Sequence, residues 1–150
     1  MFKKILSYFD NQNWKYHVPE PTKTLALLGI GTDSGKYHCI ADVDEDSHRF
    51  IFFSVCPTNV PSAKRREMAE LIIRINYNLF LGNFELDFED GEIRFKTSII
   101  YESIELTPTI IDNIITSNLF AMDKNIAIIT TFAFGGLSIK EAIKKIKYAE

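Results

Sequence analysis

Phe84-Glu85-Leu86-Asp87-Phe88-Glu89-Asp90-Gly91-Glu92-Ile93-Arg94-Phe95-Lys96-Thr97 reads as a β-hairpin, and that reading decides the fold class. Asp90-Gly91 is a preferred pair for a two-residue turn that needs positive φ. Around such a turn, alternation opposes Phe88 to Ile93, Leu86 to Phe95 and Phe84 to Thr97 on one face. The other face opposes Asp87 to Arg94 and Glu85 to Lys96. Such pairs are worth about 0.2–1 kcal/mol each, so they are expected to set register. A carboxylate with a permanent cation opposite it is a poor general acid or base.

Upstream, a helix is expected to feed the hairpin and to end near Gly82, a residue suited to the position after a helix. Pro57 and Pro61 introduce it and Ser62 suits its N-cap. Met68, Leu71, Ile72, Ile75 and Leu79 form one apolar stripe, widened by Ala69, Ile73, Tyr77 and Phe80. That pattern predicts a helix buried over most of its surface. Asn76 and Asn78 are the polar exceptions, suited to neighbouring backbone groups. Lys64, Arg65 and Arg66 crowd its start, the wrong end for the helix dipole. They read as a solvated first turn or as a contact for an anion.

Three strands are expected before that helix, over residues 24–32, 36–44 and 48–56. Asp33-Ser34-Gly35 and Asp44-Glu45-Asp46-Ser47 supply the turns. Period two gathers Leu25, Leu27, Tyr37, Cys39, Ala41, Val43, Phe50 and Phe52 on one face, together with Gly29 and Gly31. The opposite face takes Ala26, Leu28, Ile30, Ile40, Ile51, Phe53 and Val55, mixed with His38 and Asp42. Two apolar faces predict a sheet covered on both sides, by the chain's own helices or by a second subunit. Cys39 falls opposite Phe52 and not Cys56, so no disulfide is expected. Residues 2–12 read as an amphipathic helix through Phe2, Ile5, Leu6 and Phe9. Residues 11–21 read as a loop pinned by Trp14 and Tyr16.

Downstream, Thr107-Pro108 is an N-cap followed by Pro at the first helical position. The helix it opens carries Ile110, Ile111, Ile114, Ile115, Leu119 and Met122, continues through Phe132 with a kink expected near residues 123–125, and stops at Gly135-Gly136. Ser138-Ile139-Lys140-Glu141 is a capping box for a short docking helix. The resulting fold class is α+β, a five-stranded antiparallel sheet with flanking helices in the order α-β-β-β-α-β-β-α-α. A single domain over residues 1–150 is expected.

A net charge of -3 and a pI near 5.6 give no global footprint for nucleic acid. No apolar run approaches the ~20 residues of a membrane span, and no secretory signal is visible. A cytoplasmic protein with no nucleic-acid or membrane partner is expected. No phosphate loop, nucleophile elbow or HExxH motif occurs, and the acidic run at residues 42–46 lacks calcium-loop spacing. His17, His38 and His48 are scattered. The expectation is therefore no enzyme, no catalytic residue, no metal and no cofactor.

Three stretches carry a resemblance. Asn83-Phe84-Glu85-Leu86-Asp87 with Asp90-Gly91-Glu92-Ile93-Arg94-Phe95-Lys96-Thr97-Ser98 is one. Ser117-Asn118-Leu119-Phe120-Ala121-Met122-Asp123 is the second, and Ser138-Ile139-Lys140-Glu141-Ala142-Ile143 the third. Together they resemble the YbjN-like family of bacterial proteins, over roughly residue 63 to the C-terminus. Lys124-Asn125-Ile126-Ala127 departs from it, since relatives often carry an aromatic and a proline after Met-Asp. The resemblance implies a fold like that of type III secretion chaperones and a homodimer that binds other proteins as a regulator. It supplies no catalytic motif. A non-enzymatic protein-binding module is thus the expected function, with Leu25, Leu27, Phe50 and Phe52 as contacts to an unidentified protein partner. The alternative is a small-molecule or nucleotide sensor using Lys64, Arg65 and Arg66 with the strand glycines.

Overall fold

The computed structural model describes residues 1–19 and 24–147. The end of the expected 11–21 loop and the side chains of Ala26 and Leu28 lie outside the described residues. Helix α1 (Phe2–Asn11) precedes strands β1 (Tyr16–His17), β2 (Thr24–Gly31), β3 (Lys36–Asp44) and β4 (Arg49–Val55). A single 3-10 turn at Ser62–Lys64 leads into α2 (Arg65–Tyr77). Strands β5 (Asn83–Leu86) and β6 (Ile93–Ile100) follow, then α3 (Pro108–Ala133) and α4 (Ile139–Lys147). The antiparallel sheet runs β1-β2-β3-β4-β6-β5, so among the described residues it has six strands where five were expected. The added strand is Tyr16–His17, which pairs with Leu27 and Ala26. It is too short to show alternation, and Trp14 and Tyr16 anchor it on Phe9.

One face of the sheet carries the core. Leu25, Leu27, Cys39, Ala41, Val43, Phe50, Phe52, Phe84 and Phe95 are buried on it. Helix α3 lies across β4 and β6, α1 packs beside α3, and α2 packs against β5. Thr107 caps α3 as its sequence requires, its Oγ1 accepting the Ile110 N–H at 3.3 Å. The helix runs to Ala133 as one element, without a helix break at residues 123–125. The Ser138–Glu141 capping box forms in both directions, with Ser138 N–H donating to Glu141 Oε2 at 2.8 Å and Glu141 N–H to Ser138 Oγ at 3.3 Å. Helix α4 docks on α2 and α3, burying Ala142.

The chain's own helices lie on one face of the sheet only, so of the two covers expected for the other face a second subunit is the one that remains. Three expectations are corrected. Strand β2 has a register irregularity between Leu27 and Ile30, where Gly29 takes φ +67. The irregularity shifts Ile30 opposite Tyr37 and into the core, off the face where strict alternation placed it. On β3, Cys39 pairs with Ser54 and not Phe52; both cysteines are free and buried. Helix α2 ends at Tyr77, short of Gly82.

The hairpin also differs in register. Phe84 pairs with Phe95, Glu85 with Arg94 and Leu86 with Ile93, two residues from the tight-turn alignment. Residues 87–92 form a wider loop closed by Gly91 N–H to the Asp87 carbonyl and Asp87 N–H to the Glu92 carbonyl, each 2.9 Å. Phe88 therefore points outward. The cause is tertiary. Val60 N–H donates to the Gly91 carbonyl at 2.8 Å. Arg65 reaches the loop from α2, its Nη1 donating to the carbonyls of Phe88 (2.9 Å) and Glu89 (3.2 Å). Both loop edges are committed outside the hairpin.

Candidate functional site

The open sheet face is assembled by cross-strand pairing. Ile40 sits opposite Phe53, Asp42 opposite Ile51, Asp44 opposite Arg49 and His38 opposite Val55. On the far side of β4, Phe53 meets Lys96, Val55 meets Arg94 and Arg49 meets Ile100. Val55, Phe53 and Ile51 thus form an apolar column down β4, broadened by Ile40 and by Ile100, which is 70% exposed. The column is bounded by charge. At one end the Arg49 guanidinium lies 3.3 Å from Asp42 and 3.9 Å from Asp44. At the other, Glu85 is paired with Arg94 at 2.8 Å and with Lys96. Of the two expected hairpin ion pairs, Glu85 with Lys96 forms. Glu85 also takes the Arg94 that Asp87 was expected to hold. The Arg94 guanidinium stacks 4.4 Å over the Phe53 ring. Partial burial pushes the Glu85 carboxyl up, but hydrogen bonds from Lys96 and Arg94 outweigh it and keep the pKa below the usual value.

A second uncovered surface lies on the outward side of α2. Ile73 is 68% exposed, Tyr77 90% exposed, and Phe80 just beyond the helix is fully exposed. The sequence pattern assigned all three to a widened buried stripe. The inner side of α2, through Met68, Leu71, Ile72 and Ile75, is the side that packs. Contiguous exposed apolar groups of this kind mark interaction surfaces.

The outer edge of β5 is occupied by a side chain. Asn76 Nδ2 donates to the Phe84 carbonyl at 3.0 Å and the Phe84 N–H donates to Asn76 Oδ1 at 2.8 Å. The amide imitates one residue of a neighbouring strand and satisfies backbone groups that an edge otherwise offers to another chain.

Leu25, Leu27, Phe50 and Phe52, expected as partner contacts, are all completely or almost completely buried beneath the helices. That is a correction: in this fold they are core. The alternating residues on the reverse of the same strands are the accessible ones, and period two gave both sets without saying which the helices cover. The basic cluster is dispersed in role as well. Lys64 pairs with Glu67 at 3.1 Å and lies 4.9 Å from the Phe132 ring centroid. Arg65 serves backbone carbonyls, including Val60 at 3.2 Å, and Arg66 is exposed. The three do not converge on one anion position, and the strand glycines lie on a different element. The burial of Cys39 pushes its thiol up to about 12, so it is not a nucleophile at neutral pH. No group of three or more His, Cys, Asp or Glu among the described residues is arranged to hold a metal. None of the described helices is long and apolar enough to cross a membrane.

The arrangement defines an α+β protein of chaperone-like fold, a sheet packed on helices by one face. The chain belongs to the YbjN family, described as "Putative bacterial sensory transduction regulator", which it matches over residues 3–127. The match thus takes in the N-terminal residues before residue 63 and ends before the Ser138–Ile143 motif. Among solved structures, the fold is similar to that of YbjN from E. coli, described as a putative transcription regulator. The TM-score is 0.67 at 13% identity, covering 90% of this chain and 93% of that one. A chain of the HopA1–SchA chaperone–effector complex gives 0.53 at 15% identity, covering 81% and 90%. A protein from Methanothermobacter thermautotrophicus of unstated function gives 0.57 at 15% identity, covering 85% and 95%. No functionally curated protein matches the chain in sequence.

Proposed function

We propose that this protein is a non-catalytic, cytoplasmic protein-binding module of regulatory or chaperone-like kind, a homodimer in which each copy holds a segment of a partner protein. The observation that carries the reading is the pair of uncovered apolar surfaces on a fold whose core is already complete. The α2 ridge of Ile73, Tyr77 and Phe80 suits a second copy, because aromatic anchors of this size dominate interfaces. The β4 column suits a partner segment with apolar side chains flanked by charges of both signs, matching Asp42 and Asp44 on one side and Arg94 and Lys96 on the other. Similarity to a chain of a chaperone–effector complex and membership of a regulator family support the same reading. The net charge of -3 disfavours nucleic acid as the partner.

Light scattering on the purified chain tests the dimer. The expected mass is twice 17.2 kDa at micromolar concentration, falling to one copy in Tyr77→Lys/Phe80→Ser. A clean wild-type monomer would end that part of the reading. For the partner face, crosslinked species recovered from native lysate by the wild type should be lost with Phe53→Glu. Their retention would move the binding surface elsewhere.

A further inference from the structure

We propose that the groove between α2, α3 and α4 is a binding site for a small amphipathic anion, of which a medium-chain carboxylate is the simplest case. The groove encloses about 430 Å³, within the ~300–1,000 Å³ span of small-ligand sites. Its apolar wall comes from all three helices and the turn between the last two: Ile75 and Leu79, then Ile128, Leu137 and Ile146. Lys124 of α3 and Lys145 of α4 line the same space, and among the described residues no carboxylate does. Neither lysine is in an ion pair among the described residues. Two of the other polar side chains are tied to the backbone of α3. Asn125 Nδ2 donates to the Ala121 carbonyl at 2.8 Å and Thr131 Oγ1 to the Ala127 carbonyl at 2.7 Å. Asn78 at the end of α2 is the remaining neutral polar group, and Lys145 also feels the charge of Glu141 on its own helix. The two cations are the charged groups of the lining, and they select a negative head on an apolar body.

Walls on three helices suit a compact molecule better than a chain running through. A ligand meeting both lysines joins α3 to α4 and holds the C-terminal helix in place. Of the lining residues, Ile128, Thr131, Leu137, Lys145 and Ile146 lie beyond residue 127, where the family match ends. The groove uses none of the residues named for the α2 ridge or the β4 column, although Asn78 and Leu79 adjoin Tyr77 and Phe80 in the chain, and its test requires neither the dimer nor the protein partner.

The experiment is calorimetric titration of the full chain with sodium decanoate below its micellar concentration, with decanol, inorganic phosphate and phosphatidylglycerol vesicles alongside. Binding sites are read from isoleucine-methyl NMR. Decanoate should saturate at one per chain and shift the Ile75, Ile128 and Ile146 methyls. Decanol should bind at least about tenfold more weakly, for want of a charge-assisted contact. Lys124→Gln/Lys145→Gln should lose decanoate binding by a similar factor with an unchanged circular dichroism spectrum. Ala127→Trp should block the groove without altering its charge. The proposal is overturned if decanoate does not saturate, if decanol binds equally, or if neither variant changes affinity. It is equally overturned if the shifted methyls lie elsewhere, or if only vesicles or phosphate alone bind.

Discussion

Asn118 is the buried polar residue with most to lose. It sits on α3, fully buried, and its Nδ2 donates to the Phe52 carbonyl (2.9 Å), the Phe95 carbonyl (3.0 Å) and Thr97 Oγ1 (3.2 Å). One amide thus joins α3 to both strands beneath it. Asn118→Ala removes these bonds from a dry core, while the two carbonyls keep their ladder partners. It should lower unfolding free energy by about 1 kcal/mol in urea titration. The Asn118 Oδ1 is itself buried with no partner among the described residues, and Ser54 shares that condition without the compensating bonds. Its Oγ is buried with no partner among the described residues, so Ser54→Ala should be neutral or slightly stabilising in the same measurement. Asp123, five residues further along α3, is one of the residues that give stability a pH dependence. It accepts Thr32 Oγ1 at 2.5 Å, Tyr37 Oη at 2.7 Å and the Ser34 N–H at 3.2 Å. Partial burial raises its carboxyl, but these donors together hold it below the ordinary value of 3.8. A depressed folded pKa means stability fully present above the unfolded value and lost as pH falls through the folded one. Asp123→Asn should therefore be less stable than wild type at pH 7. The difference should shrink as pH drops below about 4, as followed by thermal midpoints across pH.

At the scale of elements, the loop between β5 and β6 is the joint most sensitive to substitution. Gly91 has φ +85, and a Cβ there would lie 2.2 Å from the Val60 carbonyl oxygen. Gly91→Ala combines left-handed strain with a backbone clash, and the loop has no room to yield because Val60 and Arg65 hold it. A loss above about 2 kcal/mol is expected, with the unfolding transition as readout. Arg65→Ala should cost less, about 1 kcal/mol, by freeing the Phe88 and Glu89 carbonyls to water. The same loop shows why a clear sequence signal gave the wrong register. Asp90-Gly91 does form part of the turn, with positive φ at Gly91, but its preference for a two-residue turn is worth less than the tertiary bonds that widen it. Asn76 belongs to the same scale. Its sequence reading as a backbone partner holds, and its particular partner, the Phe84 peptide on the edge of β5, depends on how α2 lies beside that strand.

For the whole molecule, the pattern of cover matters more than the amount of apolar surface. The helices bury one face of the sheet and leave the β4 column and the α2 ridge unfilled. If the ridge closes a dimer, the thermal midpoint of the wild type should rise with protein concentration, and that of Tyr77→Lys/Phe80→Ser should not. The sequence by itself determined the α+β class, the caps at Thr107 and Ser138, the free cysteines and, Ile30 apart, the residue sets of the two faces. Each follows from spacing or from local hydrogen-bonding chemistry, which act within a few residues. The tertiary structure alone decided the hairpin register, the bulge that carries Ile30 inward, and the burial of Leu25, Leu27, Phe50 and Phe52. It also decided the commitment of Lys64 and Arg65 to the fold and the grouping of Lys124 with Lys145 around an apolar groove. The physical reason is that period two fixes which residues share a face but is unchanged by a slip of two, and it does not say which face a helix will cover. Those outcomes depend on contacts between elements far apart in the chain, where Val60, Arg65 and α3 outweigh what the local sequence prefers.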